Sequence, residues 1–172
     1  MSNKSNATTN SAAKNAAIHA ANFTGQDAIA LLVADHREVA EMFKQFEELG
    51  DRAKAGKQKL VEKICNALIA HTQIEEEIFY PAVRDEVKDA DDMVDEALVE
   101  HQAAKDLIQQ LKEMQPDEDL YDARVKVLSE EIEHHVKEEE EEMFKKARKS
   151  GIDLEALGQE MAQRKQEILS TL

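Results

Sequence analysis

Four long stretches of this chain space their apolar residues three and four apart, and each carries one histidine inside the stripe. That spacing gathers the residues on one face of a helix, so the chain is confined to packed amphipathic helices with histidines turned inward. The first stretch, roughly 27–49, runs Ile29, Leu32, His36, Val39, Phe43 and Phe46, with Asp27 as N-cap and Gly50 as its stop. The second, roughly 57–87, carries Val61, Ile64, Leu68, His71, Glu75 and Phe79. Pro81 lies inside it and predicts a kink, because proline removes one backbone hydrogen bond. The third, roughly 91–114, runs Val94, Leu98, His101, Ala104, Ile108 and Leu111, with Pro116 ending it. The fourth, roughly 117–149, runs Val125, Leu128, Ile132, His135, Glu139 and Met143, with Gly151 expected as its C-cap. Leu154, Leu157, Met161 and Ile168 predict a short packing helix over 153–170.

Scarce proline (2), scarce glycine (5) and 4% aromatics favour helix over strand throughout. The expected fold is all-α: an up-and-down four-helix bundle over 27–149, followed by the short fifth helix within 150–172. Residues 1–26 contain Lys4 and Lys14 but no acid, unlike everything after Asp27, and are expected to form a flexible extension. They carry no arginine, against a transit peptide, and no apolar core of a secretory signal. No run of about 18 apolar residues predicts a membrane span, so a cytoplasmic protein is expected. The net charge of −15 argues against binding nucleic acid or anionic membrane and favours neutral, basic or cationic partners. The lone Cys65, in the apolar run ICNALIA, reads as a buried, inert thiol.

The histidines can be levelled against one another. His36 lies 14 residues before Gly50 and His71 lies 14 residues after Lys57, so in a hairpin they reach the same height. Glu75 and His101 meet similarly across the next turn. The spacing from His36 to His101 is 65 residues and from His71 to His135 it is 64, which suggests a duplicated helical hairpin. Glu75 and Glu139 share those faces, and burying ionised carboxylates costs several kcal/mol each unless a cation compensates. The His-to-Glu spacing of four lets an imidazole hold one metal while the carboxylate reaches a second. Six residues, His36, His71, Glu75, His101, His135 and Glu139, are therefore the candidate ligands of two ions. Imidazole and carboxylate without thiolate suit an iron pair best, with zinc and manganese as competitors. His134 is turned about 100° from the stripe, which favours its neighbour His135. Glu76, Glu138 and Glu140, beside the ligands, read first as a solvated acidic face and second as hydrogen-bond acceptors behind the ligands, and Tyr80 and Tyr121 receive no role.

The ordered set LLVADH at 31–36, HTQIEEEIFYP at 71–81, EH at 100–101 and HHVKEEEEEMF at 134–144 resembles the hemerythrin-like HHE cation-binding domain. The resemblance covers about Asp27 to Lys149. It implies a four-helix bundle with a non-haem di-iron centre, Glu75 and Glu139 bridging the irons and the four histidines completing them. Oxygen carriers of that family draw a fifth histidine from the third helix, where this chain has Lys105, so open coordination positions are expected. What is bound or sensed in stress handling is then expected to be iron itself, oxygen, nitric oxide or peroxide. The alternatives are an oxidoreductase consuming peroxide or nitric oxide, and a metal-free helical interaction module. No general acid or base beyond the six ligands is evident on the stripes.

Overall fold

A computed structural model describes residues 26–172, and the extension predicted over 1–26 lies outside them but for Gln26. Among the described residues there is helix and no strand. Helix α1 spans Ala28–Glu48, and its N-terminus is closed by Asp27, whose carboxylate accepts from the Ala30 backbone N–H at 2.8 Å. Helix α2, Lys54–Ile74, runs through a π-helical turn, Glu75–Phe79, into α3, Tyr80–Glu86. Helix α4 spans Asp91–Glu113. Helix α5, Tyr121–Glu138, runs through a second π-helical turn, Glu139–Met143, into α6, Phe144–Ala147. Helix α7, Leu154–Leu169, closes the chain, capped by Asp153 on the Ala156 N–H. No helix among the described residues is long and apolar enough to cross a membrane.

The four-helix arrangement follows the stripes, with α1 packed on α2 and α4 on α5. Apolar side chains form two clusters, one holding Val39, Phe43, Leu68, Ile108 and Leu128, the other Leu32, Ile74, Phe79, Val94 and Met143. His36 follows Leu32 and precedes Val39; His71, His101 and His135 likewise fall where their helices pass from one cluster to the other. The four histidines with Glu75 and Glu139 thus form a buried layer between two apolar plugs.

Several boundaries differ from expectation. The fourth helix starts at Tyr121, after Leu120 takes a left-handed φ of 71°. Its continuation ends at Ala147 with Arg148 as cap, so Gly151 is not the C-cap. At Gly151 a side-chain Cβ would instead lie 3.1 Å from Glu86 Oε2. On α4 the inward residue is Ala97, while Leu98 is 37% exposed. Helix α7 lies against α1 and α2. The contact is closest at Gly158, where a Cβ would sit 2.7 Å from the Ala28 nitrogen and the Gln26 oxygen, a space only glycine fits.

Candidate metal centre

All six predicted side chains converge in that layer, and each is buried. Helices α1 and α2 bring His36 and His71 together with their Nε2 atoms 3.1 Å apart; α4 and α5 do the same for His101 and His135, again at 3.1 Å. The glutamates join the two pairs. Glu75 Oε2 lies 3.3 Å from His71 Nε2 and 3.4 Å from His101 Nε2. Glu139 Oε2 lies 3.5 Å from both His36 Nε2 and His135 Nε2. Each carboxylate therefore reaches one histidine of each pair, which is the placement of a bridging ligand.

The outward ring nitrogens explain why the inward ones are free. Nδ1 of His36 meets Glu140 at 2.9 Å, that of His71 meets Asp35 at 3.3 Å, that of His101 meets Glu76 at 2.9 Å and that of His135 meets Glu100 at 2.7 Å. A carboxylate on Nδ1 holds the ring proton there as an N–H donor and leaves the Nε2 lone pair facing the centre. Two such lone pairs 3.1 Å apart repel unless a metal cation lies between them or one ring carries a proton at Nε2, as the raised His36 pKa allows in the metal-free protein. A cation with bonds of about 2.1 Å sets neighbouring donors roughly 3.0–3.4 Å apart, in octahedral or tetrahedral geometry. The observed separations of 3.1 to 3.5 Å fit that cation. Both oxygens of Glu75 and Oε2 of Glu139 also lack any hydrogen-bond partner, a cost of about 1–3 kcal/mol each in a buried setting. Donor type, spacing and orphaned charge all match a metal centre.

Without metal, the charges settle against one another. Burial, followed by repulsion from Glu139, pushes the Glu75 carboxyl well above the ordinary carboxylate range. Burial opposes charge on Glu139 too, but the imidazoles of His36, His135 and His71 around it hold its pKa down at about 2. Burial works against a charged His36, and Glu139 and Glu75 outweigh it, raising that pKa; His135 is raised in the same way with help from Glu100. At His71 burial wins and brings the imidazole down to about 4.

The reading of Glu76 and Glu140 as merely solvated is corrected, since each orients a histidine. So do Asp35 and Glu100, the residues immediately before His36 and His101. The outer carboxylates repeat with the ligands: Asp35 and Glu100 lie 65 residues apart, Glu76 and Glu140 lie 64 apart. Three of them are in turn held by surface cations: Glu140 by Arg37, Asp35 by Lys165 of α7, and Glu76 by Lys105. Lys105 thus stands on the outer carboxylate rather than among the ligands, and α7 does more than pack. His134 points outward, 64% exposed at its side chain, toward Glu138 and Glu100.

Sequence reasoning missed Tyr80. Its hydroxyl donates to Glu139 Oε1 at 2.8 Å and lies 3.1 Å from His101 Nε2. Regular α-helical spacing puts Tyr80 well off the face of Glu75, at about 140°. In the π turn the Tyr80 N–H reaches back five residues to the Glu75 carbonyl, which rotates the tyrosine onto the site. The second π turn does the same for Phe144, whose N–H bonds the Glu139 carbonyl and whose ring stacks on His36 at 5.8 Å. Tyr80 and Phe144 are 64 residues apart, so the duplicated halves differ at this place by one hydroxyl. The only available signal was the duplication itself, which aligns Tyr80 with Phe144.

Comparison with known proteins gives three results. The family model described as the hemerythrin HHE cation-binding domain matches residues 27–147. A curated protein described as a DNA nickase, from Nostoc sp., is 31% identical over 110 residues, which cover 64% of this chain and 30% of that protein. The chain thus spans under a third of that relative's length. A crystal structure of a hemerythrin HHE cation-binding domain-containing protein from Mycobacterium kansasii superposes with a TM-score of 0.74 at 23% identity, covering 86% of this chain and 90% of that one.

Proposed function

The chain belongs to the hemerythrin HHE cation-binding domain family, and on that premise we propose that it holds two non-haem iron ions through His36, His71, Glu75, His101, His135 and Glu139 and binds or senses a small ligand such as oxygen, nitric oxide or peroxide. The observation that carries this reading is that each glutamate reaches across two histidine pairs, with oxygens that nothing in the protein satisfies. His36 and His71 would hold one ion and His101 and His135 the other, with Glu75 and Glu139 within reach of both. An iron pair supplies redox equivalents and exchangeable positions for a small ligand. The protein's own part is to fix Nε2 toward the centre through the four outer carboxylates, to exclude water by the two apolar clusters, and to keep the Tyr80 proton beside Glu139. A metal-free module is disfavoured because three orphaned buried carboxylate oxygens would be retained for nothing.

A second reading, turnover of peroxide or nitric oxide, draws support from Tyr80. Burial and the carboxylates Glu75 and Glu139 push its pKa well above the ordinary phenol value, so it stays a proton donor at neutral pH. DNA chemistry is not carried over from the nickase: the shared part is 30% of that protein, and a chain of net charge −15 repels phosphate.

The test is metal analysis of protein purified without a histidine tag, together with a visible spectrum under air. About two iron ions per chain are expected. Two zinc or manganese ions would move the reading to those metals and to a redox-silent or different chemistry. Zero or one ion in carefully prepared protein would reject the paired centre.

A further inference from the structure

A cavity of about 270 Å³ opens beside α4 and α5 and has His135 and Glu139 on its floor. Its wall carries Asp89, Asp92, Glu96, Glu100, Glu138 and Glu142 against one cation, Lys146. A second cavity, of about 390 Å³, reaches His36 on the other side of the centre, and there Arg37 and Lys44 balance Glu47 and Glu133. The two approaches to the same buried layer are therefore electrostatically different, one strongly anionic and one balanced. Glu139, which lines the anionic one, has a partnerless, buried carboxylate oxygen, Oε2, on a side chain 2% exposed. Beside its mouth stands a cluster outside the six inner ligands: Glu100, His134 and Glu138, whose donor atoms lie within 4.8 Å of one another. His134 Nε2 is 3.3 Å from Glu138 Oε1 and 3.6 Å from Glu100 Oε1. The other oxygen of Glu100 is 2.7 Å from Nδ1 of His135, so one carboxylate touches both the outer cluster and an inner ligand.

We propose that the anionic cavity is the entrance for divalent cations, and that Glu100, His134 and Glu138 form an outer capture site from which the cation passes to His135 and Glu139. The proposal rests on the reading that the six buried residues hold metal. Low-dielectric walls of one sign concentrate counter-ions and raise their association rate by about 10- to 1,000-fold, an effect the balanced cavity lacks. An exposed imidazole with two partly exposed carboxylates binds a divalent ion weakly and releases it quickly, as a transfer site must. His134 and Glu138 are four residues apart on α5, the same spacing as His135 and Glu139, so the outer and inner donors are one residue out of phase on a single helix. An ion moving inward exchanges Glu138 for Glu139 and His134 for His135, leaving Glu100 on the Nδ1 edge of the His135 ring.

The experiment is stopped-flow mixing of metal-free protein with Co²⁺ under anaerobic conditions, following the visible absorption of the bound ion, with final stoichiometry measured separately. In His134→Gln/Glu138→Gln the uptake rate is expected to fall about tenfold while keeping most of its dependence on salt, because Asp89, Asp92, Glu96, Glu100 and Glu142 still line the cavity, with two ions still bound at the end. Glu133→Gln, at the balanced cavity, is the control and should load at the wild-type rate. An unchanged rate in the double variant overturns the proposal, as does an equal slowing in the Glu133 control. Loss of a bound ion from the double variant also overturns it, because these residues would then be resident ligands. If the wild-type protein takes up no Co²⁺ at all, the buried-centre reading itself fails and the entrance with it, a result distinct from normal stoichiometry with an unaltered rate.

Discussion

Replacing Glu75 by glutamine separates what the site costs from what it does. Glu75 is fully buried with neither oxygen partnered, and burial and Glu139 force it to take up a proton in the metal-free protein. In the unfolded chain the same carboxyl ionises near 4.5. Above that pH the unfolded state therefore binds fewer protons than the folded state, so the metal-free protein loses stability as pH rises. Glutamine has the same shape, no charge, and an amide that can donate to Glu139. Removing one buried unsatisfied carboxylate is expected to stabilise the metal-free protein by about 1–3 kcal/mol at neutral pH. For a chain of this size that raises Tm by about 2–4 °C per kcal/mol. The advantage should vanish on acidification to below pH 4.5, where both states hold the proton.

With metal the sign reverses. At a free-ion concentration about 100-fold above Kd the wild-type protein gains about 2.7 kcal/mol per site, whereas an amide cannot bridge two ions and the variant should gain little. The assay is thermal unfolding of both proteins, chelated and Co²⁺-loaded, at neutral pH and at pH 4, with metal content measured on each sample. A metal-free variant less stable than wild type would refute the account of Glu75 as a carboxyl whose burial costs folding stability. A variant that still binds two ions with an undiminished Tm shift would refute its role as a bridge.

Other outcomes follow from the same geometry. Tyr80→Phe removes a hydrogen bond to an ionised carboxylate and should destabilise the metal-free protein by about 1.5–3 kcal/mol in denaturant titration, leaving two ions bound; loss of metal would make Tyr80 a ligand. Pro81→Ala should leave metal content unchanged, because the second π turn forms without a proline; an emptied site would show that Pro81 sets the ligand register. Burial pushes the Cys65 thiol up to about 11. Above pH 9 the unfolded chain releases this proton first, so wild-type stability should fall between about pH 9 and 11 relative to Cys65→Ala, by up to roughly 2–3 kcal/mol in parallel urea titrations; parallel pH curves would put the thiol in contact with water.

The four stripes and the inward histidines were legible because helical periodicity is a property of local sequence, and a histidine on an apolar face is conspicuous there. The choice of His135 over His134 rested on that same 100° rotation, and the structure has His135 buried and His134 exposed. Which histidine each outer carboxylate meets was not legible. Asp35, Glu76, Glu100 and Glu140 look like any of the 37 acids in the chain until the opposing helix is in place, since each bonds a histidine 25 or more residues away. Distance along the chain hid them.

The π turns were illegible for a different reason. Pro81 explains an irregularity, because its missing N–H leaves the Glu77 carbonyl without its usual donor, and from sequence that predicts a kink. Yet the same five-residue turn occurs at Glu139–Met143, where no proline is present, and both turns begin at a glutamate of the buried layer. Proline therefore cannot be the common cause. What the two turns share is a helix that must place a histidine, then a glutamate four residues on, and then an aromatic ring five residues further toward one buried centre. Regular α-helix meets the first interval and fails the second, since five residues at about 100° each leave the ring some 140° off the face. The widened turn absorbs that error, and in doing so sets Tyr80 against His101 and Phe144 against His36. The irregularity belongs to the requirements of the site, and only the 64-residue repetition of Glu75 and Tyr80 as Glu139 and Phe144 carried it in the sequence.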